Sequence, residues 1–243
     1  MLFFPFLKPC PCMLLFLFFT LFYTSTVRDG PHGIFYVFMT LKGQFILWLL
    51  FLSEAYDPLD PFGNITIKWD IREWTPDGYV AVVTMNNFQQ YRHISAPGWS
   101  VGWTWAKKEV IWQVMGGQTT EQGDCSKFKG NTPHCCKKDP TVVDLLPGTP
   151  YNQQIANCCR GGVLSSWAQD PTNAVSAFQV SVGSAGTTNK TVKLPLNFTL
   201  KAPGPGYTCG PAKTVTPTKF TTPDKRRVTQ ALSKLITFFM LIS

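Results

Sequence analysis

The chain has few charged residues and few histidines, and it lacks the sequence motifs of common enzymes. Of its 243 residues, 15% are charged and 3 are histidines. No GxSxG, HExxH, P-loop or glycine-rich dinucleotide motif occurs. A glycosidase needs two carboxylates that face each other across the sugar. The acidic residues that could supply them lie at positions predicted to be turns or solvent-facing: Asp57, Asp60, Asp70, Glu73 and Asp77. We therefore expect no catalytic residue, no enzymatic activity and no cofactor.

Metal and nucleic-acid sites also find little support in the sequence. No CxxC pair occurs, so His134 and the cysteines near it are not expected to bind zinc. The formal net charge is +8, but the lysines and arginines are scattered and no arginine-rich helix or nucleic-acid motif appears. We therefore predict neither a metal site nor a nucleic-acid partner.

Long apolar runs are also missing. The two clearest runs, at 13–22 and 45–52, are shorter than the ~20 residues of a membrane-spanning helix. The second follows Lys42 and precedes small residues at the positions that a signal peptidase reads, which predicts a secretory signal peptide over 39–55. Residues 1–38 are then an N-terminal extension from a doubtful gene start. The competing interpretation of these runs is a membrane anchor.

Cysteines and glycosylation sequons agree with export from the cell. Six cysteines follow the leader, and all six are expected to form disulfides in an oxidising compartment: Cys125, Cys135, Cys136, Cys158, Cys159 and Cys209. Adjacent cysteines rarely bond each other, so each adjacent pair is expected to send two bridges to different places. The pairing itself is left open. Three sequons predict N-glycans at Asn64, Asn189 and Asn197.

The part that follows the leader has the pattern of strands and turns. Ile65–Arg72 alternates apolar and polar residues, Thr75–Gly78 is a turn containing proline and glycine, and Tyr79–Met85 is rich in β-branched residues. These segments predict a hairpin. Further strands are predicted at Trp99–Trp105, Val110–Met115, Val163–Trp167, Val175–Val182 and Val192–Leu200. The expected fold is an all-β antiparallel sandwich in which 116–160 forms a long disulfide-stapled loop.

Aromatic residues form the one pattern that points to binding. On a strand, Trp99, Trp103 and Trp105 share one face, and small polar residues occupy the other. This face is either part of the core, which is the commoner role of any single tryptophan, or a stacking platform for the axial C–H groups of a β-linked glucan. At least one or two of the candidate tryptophans are expected to be exposed. The candidate polysaccharide-binding residues are Trp74, Trp99, Trp103, Trp105 and Trp112, with a contribution from Tyr91.

Several segments resemble the plant COBRA and COBRA-like family. They are Asp60–Thr66, Trp74–Thr84, Phe88–His93, Pro97–Trp99, Gly102–Trp112, Gln118–Cys125, His134–Lys138 and Pro205–Pro211. The resemblance runs from about Tyr56 to Leu232. It implies an extracellular protein without hydrolytic activity that helps to order cellulose microfibrils during oriented cell expansion. It also implies N-glycans, a β-sandwich resembling cellulose-binding modules, and a glycosylphosphatidylinositol anchor at the outer face of the plasma membrane. The aromatic cellulose-binding surface of the family maps best onto Trp99–Trp112.

The resemblance assigns 56–212 to the COBRA-type sandwich domain and leaves 213–243 as a linker and an atypical, truncated tail. The apolar stretch of this tail is short and no anchor signal is evident. The family's lipid anchor is therefore the one expected route to the membrane, and we expect this chain to lack it. Two alternatives stay open. One is a basic adhesion or signalling module that binds acidic wall polysaccharides through Lys107, Lys108, Lys137, Lys138 and 225–227. The other is a truncated product without function.

Overall fold

A computed structural model gives the structure of the chain. It describes residues 37–41, 44–48, 59–204, 206–210, 212–216, 219–221, 228–230 and 233–240. The chain divides into two compact units, Met1–Glu54 and Ala55–Ser243. In the first unit, strand β1 (Val37–Leu41) pairs antiparallel with β2 (Gln44–Trp48). The rest of the predicted extension and signal peptide lies outside the described residues. No helix in the described ranges is long and apolar enough to cross a membrane.

The second unit consists of antiparallel sheets. Its strands are β3 (Ile65–Thr75), β4 (Gly78–Asn87), β5 (Ser100–Thr104), β6 (Val110–Met115), β7 (Gly117–Thr119), β8 (Thr141–Asp144), β9 (Val175–Gly183), β10 (Leu196–Lys201), β11 (Tyr207–Cys209), β12 (Lys213–Val215), β13 (Lys219–Thr221), β14 (Val228–Gln230) and β15 (Ser233–Met240), with single-turn 3-10 helices at Tyr151–Gln153 and Pro171–Asn173. The larger sheet has the order β11-β15-β3-β4-β9-β6, and β12 also pairs with β15. The smaller sheet has the order β10-β5-β8-β7, and β13 pairs with β14.

The β3-β4 hairpin forms as its sequence predicts. Trp69 lies opposite Val83, the register shifts by one residue between Ile71 and Glu73, and Thr75 then lies opposite Gly78, where Pro76 and Asp77 form the turn. Proline sets φ for the first turn position, and glycine avoids a clash, because a Cβ on Gly78 would lie 2.1 Å from the backbone oxygen of Val182. The alternating apolar residues of both strands face the core.

Aromatic rings from the two sheets meet in the core. Trp69 of β3 lies edge-to-face against Trp103 of β5, with ring centroids 5.1 Å apart. Trp103 also stacks on Phe178 of β9 at 6.4 Å, and Phe198 of β10 packs beside Trp69 at 6.0 Å. Because β5 and β10 belong to the smaller sheet and β3 and β9 to the larger, these contacts join the two layers of a sandwich. The all-β antiparallel fold is confirmed.

Three predicted segments differ in the structure. Val163–Trp167 is not a strand, since only an isolated bridge joins Leu164 to Ile94. The predicted loop at 116–160 contains β7 and β8, which pair with each other in the smaller sheet. Within 213–243, β15 pairs with the edge of β3 and buries Ile236 completely, because its apolar and β-branched residues suit a strand.

The disulfides also differ from the prediction. Cys158 bonds to its neighbour Cys159, although adjacent cysteines were expected to bridge elsewhere. The second disulfide joins Cys125 to Cys136. Cys135 is a thiol rather than a disulfide partner, and Cys209 Sγ donates a hydrogen bond to Gly210 O at 3.2 Å. Cys135 is fully buried and exchanges both backbone hydrogen bonds with Ile111, so it faces the core while Cys136 faces Cys125 on the opposite side.

Candidate functional site

The predicted platform of Trp99, Trp103 and Trp105 is buried. Their side chains are 2%, 2% and 1% exposed. The three rings share one face, as the strand alternation predicts, but that face meets the larger sheet. These tryptophans therefore serve as core residues and cannot contact a polymer. The assignment of the binding surface to them is corrected accordingly.

Trp74 and Trp112 lie near the turn end of the β3-β4 hairpin. Trp74 is exposed and packs edge-to-face against Tyr79, with centroids 6.2 Å apart. Trp112 is half-buried, and its Nε1–H donates a hydrogen bond to Asp77 Oδ2 at 3.1 Å. Its ring packs edge-to-face against Phe128 at 5.5 Å. Each indole is thus held by a different neighbour rather than joined in one platform.

Exposed aromatic rings gather at the other end of the same hairpin. Phe62, Phe88, Tyr91 and Trp167 are 84%, 41%, 61% and 43% exposed, and we refer to these four residues as the end patch. The rings of Phe88 and Trp167 are in contact, with centroids 5.3 Å apart and planes inclined by 52°. Tyr91 is the one member that the sequence identified. The other three were missed, although Phe88 lies only three residues beyond the predicted strand Tyr79–Met85.

Asn87 fixes the loops that carry the end patch. Its side chain is fully buried, and its Nδ2 donates to Arg92 O and to Ser165 O, both at 2.9 Å. Its backbone oxygen accepts a hydrogen bond from Trp167 N at 3.1 Å. Phe88 N donates to Asn64 O at 2.9 Å, which ties the segment before β3 to the same point. The patch is therefore pre-organised by buried hydrogen bonds.

The basic residues are spread over the surface. Lys107, Lys108 and Lys138 are exposed. Lys137 Nζ lies 2.7 Å from Glu121 Oε2, and this ion pair raises the pKa of Lys137. The basic cluster at 225–227 lies outside the described residues.

The predicted glycosylation sites occupy three different positions. Asn189 and Asn197 are exposed. Asn64 is half-buried next to the end patch, and its Nδ2 donates to Phe62 O at 2.9 Å. In the residues that the structure describes, no cluster of three or more metal-binding side chains occurs. Burial lowers the pKa of His134, whose Nε2 accepts a hydrogen bond from Thr119 N.

The fold and the end patch define a predominantly β-stranded sandwich that presents aromatic rings at one end. The model of the COBRA N-terminal domain matches residues 79–236. The chain belongs to the COBRA family.

Plant relatives align closely with the chain. It is 79% identical over 180 residues to COBRA-like protein 1 of Arabidopsis thaliana, covering 74% of this chain and 40% of the relative. It is 73% identical over 194 residues to Protein COBRA of Arabidopsis thaliana, covering 76% and 42%. It is 72% identical over 195 residues to COBRA-like protein 1 of Oryza sativa subsp. japonica, covering 80% and 44%. The chain therefore spans less than half the length of these curated relatives. No solved structure matches it.

Proposed function

We propose that this protein is a non-catalytic, extracellular cellulose-binding protein that assists microfibril organisation, wall cellulose synthesis and oriented cell expansion in plants. The observation that carries the proposal is the end patch, with the contacting rings of Phe88 and Trp167 at its centre. Exposed aromatic faces of this kind are uncommon on monomeric proteins unless they bind something.

The chemistry of a β-linked glucan suits these rings. Its sugars are neutral and present axial C–H groups on both faces, so a ring face can cover them without a charge or a deep pocket. Burial of apolar surface supplies the free energy, and several rings acting on one repeating polymer add their contributions. The loops that bear the rings are already fixed by Asn87, which reduces the entropy lost on binding.

Extracellular placement is part of the proposal. The disulfide between Cys125 and Cys136 and the exposed sequon at Asn189 both suit an oxidising, glycosylating compartment. We place the protein at the cell wall and the outer face of the plasma membrane, where the family resemblance puts its lipid-anchored members.

Binding to cellulose tests the proposal directly. We expect the double variant Phe88→Ala/Trp167→Ala to lose at least about tenfold in affinity for cellulose, because two ring contacts are removed. The matched control is Tyr151→Ala, which removes an exposed ring that lies outside the end patch and outside the candidate binding residues, and it should leave binding unchanged. The measurement is a depletion isotherm on swollen and crystalline cellulose. Equal binding by the folded double variant would contradict the proposal.

The alternative partner, an acidic wall polysaccharide, is supported by the exposed Lys107, Lys108 and Lys138. The same isotherms separate the two partners when they are repeated at high salt. Screening weakens contacts between exposed charges strongly but leaves apolar stacking in place. Retention on cellulose at high salt therefore supports stacking, and release by modest salt supports the lysine surface.

A further inference from the structure

Phe62 is the most exposed of the four rings in the end patch. The residue is 84% exposed and lies in the turn that precedes β3. Gly63 N donates to Asp60 O at 3.0 Å and closes this turn, and Pro61 sets φ at the turn position before Phe62. Exposure alone does not identify what covers the ring, because single exposed apolar residues are common on proteins. The residues that follow the turn identify it.

The turn leads directly into a glycosylation sequon. Asn64 begins the sequence Asn-Ile-Thr, and Phe62 lies two residues before that asparagine. The sequons at Asn189 and Asn197 have threonine and proline at the corresponding position. Among the three predicted glycan sites, Asn64 is therefore the one with an aromatic ring two residues ahead of it.

The Asn64 side chain is held beside Phe62. Its Nδ2 donates a hydrogen bond to Phe62 O at 2.9 Å. Its backbone oxygen accepts a hydrogen bond from Phe88 N, also at 2.9 Å. Ile65 is completely buried in the core, so the alternation of the extended chain places Asn64 on the outer side. A sugar attached to Nδ2 therefore begins next to the turn that carries Phe62.

Attachment of a glycan is compatible with this hydrogen bond. The amide nitrogen of asparagine carries two hydrogens. Transfer from a lipid-linked oligosaccharide diphosphate forms a bond between Nδ2 and C1 of the first N-acetylglucosamine, displaces the lipid diphosphate and releases one amide proton. The hydrogen that remains on Nδ2 can still donate to Phe62 O. The first sugar is then bonded to a nitrogen that lies 2.9 Å from Phe62 O.

We propose that the first N-acetylglucosamine of a glycan on Asn64 packs against the ring of Phe62. A β-linked pyranose presents axial C–H groups on its faces and its acetyl methyl adds apolar surface, so the ring can cover both. The contact stabilises the turn before β3. It also covers Phe62, which leaves the contacting rings of Phe88 and Trp167 free for a polymer. The inference rests on the extracellular placement in the proposed function, because glycans are added to exported proteins.

The direct test is NMR of the full chain, secreted from eukaryotic cells and carrying isotope-labelled glycans. Glycopeptide mass spectrometry first measures the occupancy of Asn64, Asn189 and Asn197. We expect the ring current of Phe62 to move proton signals of the first sugar on Asn64 to higher field, with nuclear Overhauser contacts between the sugar and the ring. Phe62→Ala should return these signals to the positions seen for the sugar on Asn189.

Thermal unfolding tests whether the contact stabilises the turn. Asn64→Gln removes the glycan but keeps an amide, and it should lower the melting temperature by about 2–4 °C. Phe62→Ala should have a similar effect in the glycosylated protein but little further effect in the Asn64→Gln background, because the contact is already lost there. The matched control is Asn189→Gln, which removes a glycan that has no preceding ring and should shift the melting temperature much less.

Additive effects of Phe62→Ala and Asn64→Gln would overturn the inference, and so would unshifted signals of the first sugar. An unmodified Asn64 beside a modified Asn189 would also overturn it, but would leave the extracellular placement in force. If none of the three sequons is modified, the inference fails and the sequon support for that placement fails with it. Cellulose retention by the Phe88 and Trp167 variants is measured separately, so its outcome bears on the proposed function alone.

Discussion

The buried tryptophans of this molecule are held in place by packing and by contacts between their rings. Trp69, Trp103 and Trp105 form three mutual edge-to-face contacts, with centroids 5.1, 6.1 and 5.5 Å apart. The Nε1 atoms of these residues and of Trp99 are buried and have no acceptor among the described groups. Edge-to-face packing places the positive edge of one ring against the negative face of another, which compensates in part for the missing acceptors.

Removal of the central ring should therefore destabilise the fold. We expect Trp103→Ala to lower the free energy of unfolding by about 3–5 kcal/mol, because it leaves a cavity between the two sheets. Urea unfolding followed by circular dichroism measures the loss. Trp74→Ala serves as the comparison and should cost much less, since its ring is exposed. A Trp103→Ala protein as stable as the unmodified chain would show that the core contacts are wrong.

Tyr79 makes the free energy of unfolding depend on pH in the alkaline range. Desolvation and the nearby Glu109 carboxylate raise the pKa of this buried tyrosine well above its ordinary value. The folded state therefore keeps a proton that the unfolded chain releases at about pH 10. The stabilisation is complete below that pH and decreases as the pH rises further.

We expect the unfolding free energy to fall steadily above about pH 10, and Tyr79→Phe to remove most of that fall. Tyr207, whose pKa burial raises to about 12, accounts for a smaller remaining dependence. Urea titrations at a series of alkaline pH values measure both effects. An identical alkaline profile for Tyr79→Phe would contradict the assignment.

Among the elements, those with a local signal were predictable. The hairpin of β3 and β4 and the strand Val110–Met115 follow from alternation and from a turn whose residues are adjacent in sequence. Val163–Trp167 has strand-like composition, but its partners are Asn87 and Ile94, far away in the chain. Disulfide pairing depends on the same distant geometry, so the bond between Cys158 and Cys159 could not be read from spacing.

The loop around that disulfide depends on one carboxylate. Asp144, at the end of β8, accepts hydrogen bonds from Cys159 N, Arg160 N and Gly162 N at 2.8, 2.9 and 2.9 Å. Asn157 and Cys159 have positive φ angles of 66° and 69°, so the segment needs outside support to keep this path.

We expect Asp144→Ala to lower stability by about 1–3 kcal/mol, because it leaves three backbone donors without their acceptor. Hydrogen exchange should accelerate at the amides of 159–162 more than in the sheets. Asp144→Asn keeps one acceptor oxygen, so its stability and its loop exchange rates should lie between those of the unmodified protein and those of Asp144→Ala. Unchanged exchange in this loop would show that the carboxylate does not hold it.

For the whole molecule, the position of the aromatic surface follows from which strand faces are covered. Trp74 is the tenth residue of β3, so at ~3.3 Å per residue it lies roughly 30 Å from the end of the strand that is next to the end patch. The sequence correctly placed Trp99, Trp103 and Trp105 on one face, but it could not show that the larger sheet covers that face. The exposed rings instead lie where β4 ends and distant loops converge on Asn87, a juxtaposition that local periodicity does not encode.

The burial of Trp69, Trp99, Trp103 and Trp105 determines what light emission from this protein reports. Indoles shielded from water emit at shorter wavelength than hydrated ones, so the short-wavelength part of the emission follows the integrity of the core. Among the indoles of the described residues, Trp167 is the one that lies in the end patch. A quencher that enters from solvent would therefore reach Trp167 readily, whereas the emission of the four core indoles would not be quenched.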